Sequence, residues 1–179
     1  MSTETHNRIE VRLRDLSQLF NSMDPSPFID RDLDDAAEEF IVTWARELPH
    51  KAELELVIHL ASPPPPERAD GTEAAVRHYF ESRAGMKRRE LRFLLRRGRL
   101  SLVIGLVFLA ACLGLGEMAQ RAPLGTFTGF VELGLQIVGW VAMWRPLEIF
   151  LYDWWPILSD QRLLERLARM TVRLSAAAA

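Results

Sequence analysis

The spacing of apolar positions changes several times along the chain. In "RIEVRL" (8–13), Ile9, Val11 and Leu13 alternate with Glu10 and Arg12, which predicts a strand with one buried face. "NSMDPSPF" (21–28) breaks the alternation, and Pro25 and Pro27 set an extended, turn-rich path. In "DRDLDDAAEEFIVTWARELP" (30–49) the period becomes helical. Leu33, Ala37, Phe40, Ile41, Trp44 and Leu48 recur three and four apart, as one apolar stripe. Asp30 or Asp32 is placed to cap this helix, its early acids suit the helix dipole, and Pro49 closes it. "ELELVIHL" (53–60) returns to period two, with Leu54, Leu56, Ile58 and Leu60 on one face. "ASPPPPERADG" (61–71) reads as a stiff polyproline connector. Residues 72–99 read as a helix with a weak point at Gly85.

Strand, helix, strand predicts a βαβ unit with parallel strands. Two strands alone are marginal and have open edges. Residues 14–29, the helix after Gly71 or a second copy is therefore expected to cover the sheet.

The pattern then turns apolar. Residues 100–116, "LSLVIGLVFLAACLGLG", run for 17 positions without a charge, the short end of a membrane span. Residues 127–144 form a second run, extended by "PLEIFL" to about 150 and interrupted by Glu132 and Gln136. A short link holding Pro123 and Gly125 joins them, so a two-helix transmembrane hairpin is expected. A soluble domain this small has no core able to hide both runs. "ILSDQRLLERLARMTVRL" (157–174) places Leu163, Leu164, Leu167 and Met170 on one side and arginines on the other. It predicts a cytoplasmic amphipathic helix, lying near the lipid or on the soluble domain, with an unstructured "SAAAA" tail.

The expected class is thus an α+β membrane protein. A small cytoplasmic βαβ-type domain and connector (1–71) precede a basic juxtamembrane helix (72–99). The hairpin (100–151, spans about 100–116 and 127–150) and a C-terminal amphipathic helix with tail (152–179) follow.

Charge orients this picture. The formal net charge of −2 hides 17 acidic and 8 basic residues in 1–82 against 7 acidic and 14 basic in 83–179. Arg83, Lys87, Arg88, Arg89, Arg92, Arg96, Arg97 and Arg99 precede the first run, and Arg162, Arg166, Arg169 and Arg173 follow the second. The link holds only Arg121. The excess of basic residues beside both outer ends predicts that both termini are cytoplasmic, in a multi-pass inner (plasma) membrane protein. Lys87, Arg88, Arg89, Arg92, Arg96, Arg97 and Arg99 are expected to meet anionic lipid head groups. No nucleic-acid fingerprint accompanies these charges, so no nucleic-acid partner is expected. "MSTETHNRIEV" has no basic start followed by an apolar run, so no signal peptide is read.

Reactive chemistry is sparse. "DRDLDDAAEE" has Asp30, Asp32 and Asp34 in alternation, but a calcium loop would need glycine and glutamate where Asp35 and Ile41 stand. His6, His50, His59 and His78 are scattered, and Cys112, the one cysteine, lies in the apolar run and reads as a small hydrophobe. Phosphate-loop, nucleophile-elbow, dinucleotide and zinc-protease motifs are absent. No catalytic, cofactor or metal residues are expected, and no enzyme.

Two polar features remain. Glu132 and Gln136, four apart, form a candidate intramembrane site that faces either water near the outer link, a neighbouring helix or a pore. "WRPLEIFLYDWWP" (144–156) holds a candidate docking site at the cytoplasmic exit: Trp144, Arg145, Glu148, Tyr152, Asp153, Trp154 and Trp155. Arg145 and Glu148 are spaced to pair, Asp153 can face nearby arginines, and Pro146 can kink the helix. Gly125 with Gly129, and Ala110 with Gly114, form small-residue pairs suited to helix packing, and Gly134 and Gly139 add points of close approach.

The segments "FNSMDPSPFIDRDLDDAAEEFIVTWARELP", "VRHYFESRA" and "VAMWRPLEIFLYDWWP" resemble a family of uncharacterised bacterial two-span membrane proteins with an N-terminal cytoplasmic domain. The resemblance covers residues 8–173 and implies the same layout, with no activity or site residue. The layout is also similar to that of the mitochondrial calcium uniporter. The acidic pore signature of that family is missing, since "GTFTGFVELG" holds Glu132 alone. The expected role is an anchor, scaffold or accessory subunit acting through protein–protein contacts, by self-association or with a membrane or cytoplasmic partner. The alternative is a small oligomeric ion channel or transporter subunit with Glu132 and Gln136 facing the pore.

Overall fold

The computed structural model describes residues 7–49, 52–62, 65–121 and 127–176. In chain order it contains β1 (Arg8–Leu13), α1 (Asp35–Glu47), β2 (Glu55–Leu60), α2 (Pro66–Arg121), α3 (Phe127–Ala142) and α4 (Trp144–Glu148). A π-helical turn (Ile149–Asp153), α5 (Trp154–Leu167) and β3 (Thr171–Ala176) follow. The chain is mostly helical, with one small parallel sheet of order β1-β2-β3. It forms two compact units: the residues up to Lys87 together with those from Ser159 on, and Arg88–Leu158.

The first unit is a layered α/β domain completed from both ends of the sequence. β1 and β2 pair in parallel, as the strand patterns predict. Residues 14–29 and the helix after Gly71, two of the expected covers, pack on the sheet through Leu16, Leu19, Phe20, Val76 and Phe80, while the open edge of β2 is taken by β3. This corrects the expectation of an amphipathic helix over 157–174: α5 stops at Leu167, and Thr171–Ala176, which takes in part of the expected tail, is strand. Val172 and Leu174 alternate as a half-buried strand requires, and both pack against the core. Glu55, in the middle strand, lies 3.0 Å from Arg8 on one side and 3.0 Å from Arg173 on the other, so opposite charges mark the register across all three strands.

Leu56, Val57 and Ile58 are all buried, the mark of a central parallel strand covered on both faces. The core joins Ile9, Leu56 and Ile58 of the sheet to Ile41 of α1, Val76 and Phe80 of α2, and Leu164 and Leu167 of α5. Each of these large side chains contributes about 1.5–3 kcal/mol by leaving water.

Two boundaries differ from the pattern. α1 begins at Asp35, and Asp34 rather than Asp30 or Asp32 caps it, its carboxylate accepting the Ala36 amide hydrogen at 3.0 Å. Residues before it are pinned elsewhere: the Asn21 amide donates to Asp32 O and the Asp34 amide to Leu19 O. The expected connector is already helical from Pro66, where proline's fixed φ suits a first turn, and the helix continues through Gly71 and Gly85. The Phe28 ring lies 3.3 Å from where a Cβ would stand on Gly71, so glycine lets the loop close on the helix. His50 and most of the proline run lie outside the described residues or beside them.

The second unit is an antiparallel helical hairpin. Stretches Gly71–Arg121 and Phe127–Leu167 are long and apolar enough to cross a membrane. Only 17% and 11% of their most apolar windows are buried, so neither is a buried core helix. The close contacts run evenly along the hairpin, from Gly98 beside Ile149, through Gly105 beside Met143 and Gly139 beside Leu109 and Cys112, to Gly116 beside Glu132. Gly98, Gly105 and Cys112 are seven apart, the repeat that keeps one helix face on its partner. The packing therefore does not use the expected small-residue pairs: Gly114, Gly129 and Gly134 have open space where a side chain would project. Gly139 alone of the expected points is used, and Gly125 lies outside the described residues.

Candidate functional site

The exit segment after α3 departs from regular helix twice. Pro146 has no amide hydrogen for the carbonyl one turn back, and the chain turns at Met143 before α4 resumes. One turn later Ile149–Asp153 widens into a π-helical turn, a feature often found where a helix serves function. The Trp154 indole N–H donates to Phe150 O at 2.8 Å, which satisfies a carbonyl within the widened turn. Ile149 is buried against Gly98 of α2, with the Phe150 ring 3.3 Å from the Cβ position of that glycine.

The predicted docking residues are brought together here in part. Arg145 donates to Glu148 at 2.8 Å and lies 3.6 Å from Asp153, so one guanidinium serves both acids. The pair is exposed, so water screens it and it adds little to stability. Asp153 thus meets Arg145 rather than the arginines before the first apolar run. Trp144, Tyr152 and Trp155 project outward, each about two-thirds or more exposed, while Trp154 is held by its hydrogen bond and meets Trp155 in a tilted contact with ring centroids 5.3 Å apart.

The seven basic residues expected to meet lipid head groups fall into two sets. Arg92, Arg96 and Arg99 share one face of α2 and, with Leu95 and Phe150, line a groove of about 350 Å³. Lys87, Arg88, Arg89 and Arg97 lie on the same helix outside this groove. Phe150 and Leu95 were not legible as site residues, because their apolar side chains read as part of the helix faces. Glu132 and Gln136 do share a face of α3, with Gln136 Nε2 donating to Glu132 Oε1 at 3.5 Å. The Gln136 bond thus lies within its own helix.

The first unit holds a polar cluster that the pattern did not single out. Glu38 of α1 accepts from Arg83 Nε at 3.0 Å, from Arg83 Nη2 at 2.8 and 2.7 Å, and from the Tyr79 hydroxyl at 2.6 Å. Burial, and then the bond to Glu38, raise the Tyr79 hydroxyl well above its ordinary pKa; the same carboxylate raises Arg83. Glu38 stands in the first turn of α1, among the acids that suit the helix dipole, and nothing in the local spacing marks it as the partner of Tyr79 and Arg83. Arg166, expected only as a topological charge, donates to Pro49 O at 2.8 Å and Ala52 O at 3.0 Å; burial lowers its pKa. Among the described residues, no three His, Cys, Asp or Glu side chains converge as a metal set.

Phe40 and Trp44 correct the single-stripe reading of α1. Ile41 and Ala45 point into the core, while Phe40 and Trp44 stay 41% and 48% exposed, their rings 6.0 Å apart. The spacing put all six apolar residues within one arc, but the contact with the sheet is narrower than that arc.

No family model, curated protein or solved structure matches the chain, so the resemblance to two-span proteins rests on the quoted segments alone.

Proposed function

We propose that the chain is a two-span inner-membrane protein, with both termini in the cytoplasm, that anchors an α/β domain at the membrane and works by binding other proteins rather than by catalysis. The observation that carries this reading is the Phe40–Trp44 pair, two large aromatic side chains left 41% and 48% exposed on a helix that buries Ile41 and Ala45 in the core. Exposed aromatic clusters on packed domains mark interaction sites. Glu39 and Glu47 on the same helix favour a partner with basic residues at the rim of its contact.

Affinity purification of the tagged chain from native membranes in mild detergent tests it. A co-purifying protein or a homo-oligomer is expected, and Phe40→Ser with Trp44→Ser should release the bound species while leaving membrane insertion intact. A monomer without partners would end the reading. A second reading, an oligomeric channel or transporter subunit, is favoured by the Glu132–Gln136 pair beside open space at Gly129. Ion flux in liposomes that changes with Glu132→Ala and Gln136→Ala supports it, and absence of flux at every pH removes it.

A further inference from the structure

We infer that Arg92, Arg96 and Arg99 of α2, with Phe150 of the π-helical turn as floor, form a discrete site for the phosphodiester head group of one anionic glycerophospholipid. The inference rests on the reading that the apolar run after Arg99 enters the bilayer.

Four observations converge on it. The groove of about 350 Å³ is lined by three guanidinium-bearing side chains and two apolar ones, Leu95 and Phe150. The arginines lie four and three residues apart, on adjacent turns of one helix face. Among the described residues, no carboxylate pairs with any of the three, whereas Arg145 beside the turn is already committed to Glu148 and Asp153. The groove also sits at interfacial depth: uncharged sequence begins one residue after Arg99, and exposed Trp144, Tyr152 and Trp155 flank Phe150 in sequence, as in an aromatic belt.

The chemistry fits a phosphodiester. Guanidinium forks bind phosphate oxygens through paired, charge-assisted hydrogen bonds. An adjoining apolar wall accepts the glyceryl and upper acyl segments, which a free phosphate lacks. The widened turn has a purpose in this arrangement. Its extra residue per turn rotates the helix as it leaves α4, which sets Ile149 against Gly98 and Phe150 beside the arginine face. A collar that merely attracts anionic lipid would need none of this.

The test uses the full chain in nanodiscs of phosphatidylcholine with a minor fraction of phosphatidylglycerol, released into the mass spectrometer with bound lipid counted. The expected result is one retained phosphatidylglycerol per chain. Arg92→Gln, Arg96→Gln and Arg99→Gln together should weaken retention roughly a hundredfold, about fivefold for each arginine's lost hydrogen bond to the phosphate. Arg88→Gln, Arg89→Gln and Arg97→Gln together, the same charge loss outside the groove, should weaken it less than tenfold. Equal loss in both triple variants, or equal retention of phosphatidylcholine, would overturn the site in favour of a diffuse collar. Displacement by millimolar glycerol phosphate would assign it to a soluble phosphate compound and overturn the lipid. Should the triple variant not fold, Arg96→Gln alone carries the same test, with a fivefold loss expected and no loss overturning it. A chain that fails to float with vesicles of any composition would instead refute the membrane reading, and this inference with it.

Discussion

Replacing Glu38 with alanine should loosen α1 from α2 by about 1.5–4 kcal/mol. The carboxylate is 14% exposed and accepts from both Tyr79 and Arg83. Its loss strands the Tyr79 hydroxyl, on a residue only 7% exposed, at a cost of about 1–3 kcal/mol for an unsatisfied buried donor. The Arg83 pairing adds less, about 0.5–1 kcal/mol, because that side chain is 43% exposed and screened by water. Tyr79→Phe keeps the Arg83 pair and removes only the hydroxyl bond, so about 1–2 kcal/mol is expected. Hydrogen exchange of α1 and α2 peptides in the full chain, in detergent, reads these as opening free energies. The two variants share one bond, so the double variant should cost less than the sum of the singles. The same bond gives a pH signature. The fold favours the protonated Tyr79, so its contribution is complete below the ordinary value of 10.0 and declines as pH rises beyond it. Tyr79→Phe should abolish that alkaline decline. The reasoning is refuted if Glu38→Ala leaves α1 exchange within about 0.5 kcal/mol of the parent, or if the double variant costs the full sum.

Other consequences follow from the sheet, the hairpin and the loop. Leu174→Asp places a charge on the strand face that packs on the core; a loss of about 2 kcal/mol or more is expected, seen as rapid proteolysis of the first unit with the hairpin still inserted. A Cβ at Gly139 would stand 2.8 Å from Leu109 Cδ1 and 3.2 Å from Cys112 Cβ, so Gly139→Leu should lower hairpin stability in detergent by about 1–3 kcal/mol. Gly134→Leu, with nothing within 4 Å, should not. Amide hydrogens of Asp32 and then Ser26 hold the Asp24 carboxyl at about 2, below its ordinary 3.8. The fold favours the charged form, so this support is present above 3.8 and lost as pH falls through about 2. Asp24→Asn should remove that acid dependence from hydrogen exchange of the residues around Asp32.

What the sequence made legible follows from the kind of information each element carries. Period-two runs at 8–13 and 53–60 and the long apolar stretches are strong local signals, and the strands and helices stand there. β3 was hidden because "TVRLSA" continues an arginine-and-leucine pattern that also suits a helix. Only the vacant edge of β2, a long-range fact, makes it a strand. Phe40 and Trp44 fit the helical stripe, and only the width of the sheet contact leaves them outside. The small-residue motifs misled because spacing shows that two glycines share a face but not which face meets the partner; Gly114 and Gly129 point away. At the exit segment the spacing of Arg145 and Glu148 announced their pair, while the π-helical turn and the role of Phe150 depend on tertiary packing that no short motif records.

The proposed two-span topology puts Met23 and Met118 on opposite sides of a bilayer. Labelling with a membrane-impermeant thiol reagent tests it, in a Cys112→Ser background that removes the one native thiol, itself 4% exposed. Met23→Cys in the first unit and Met118→Cys near the end of α2 place thiols at positions 89% and 67% exposed. With both termini cytoplasmic, Met23→Cys should react only in inverted vesicles and Met118→Cys only in intact spheroplasts. Reaction of both from the same side would contradict it.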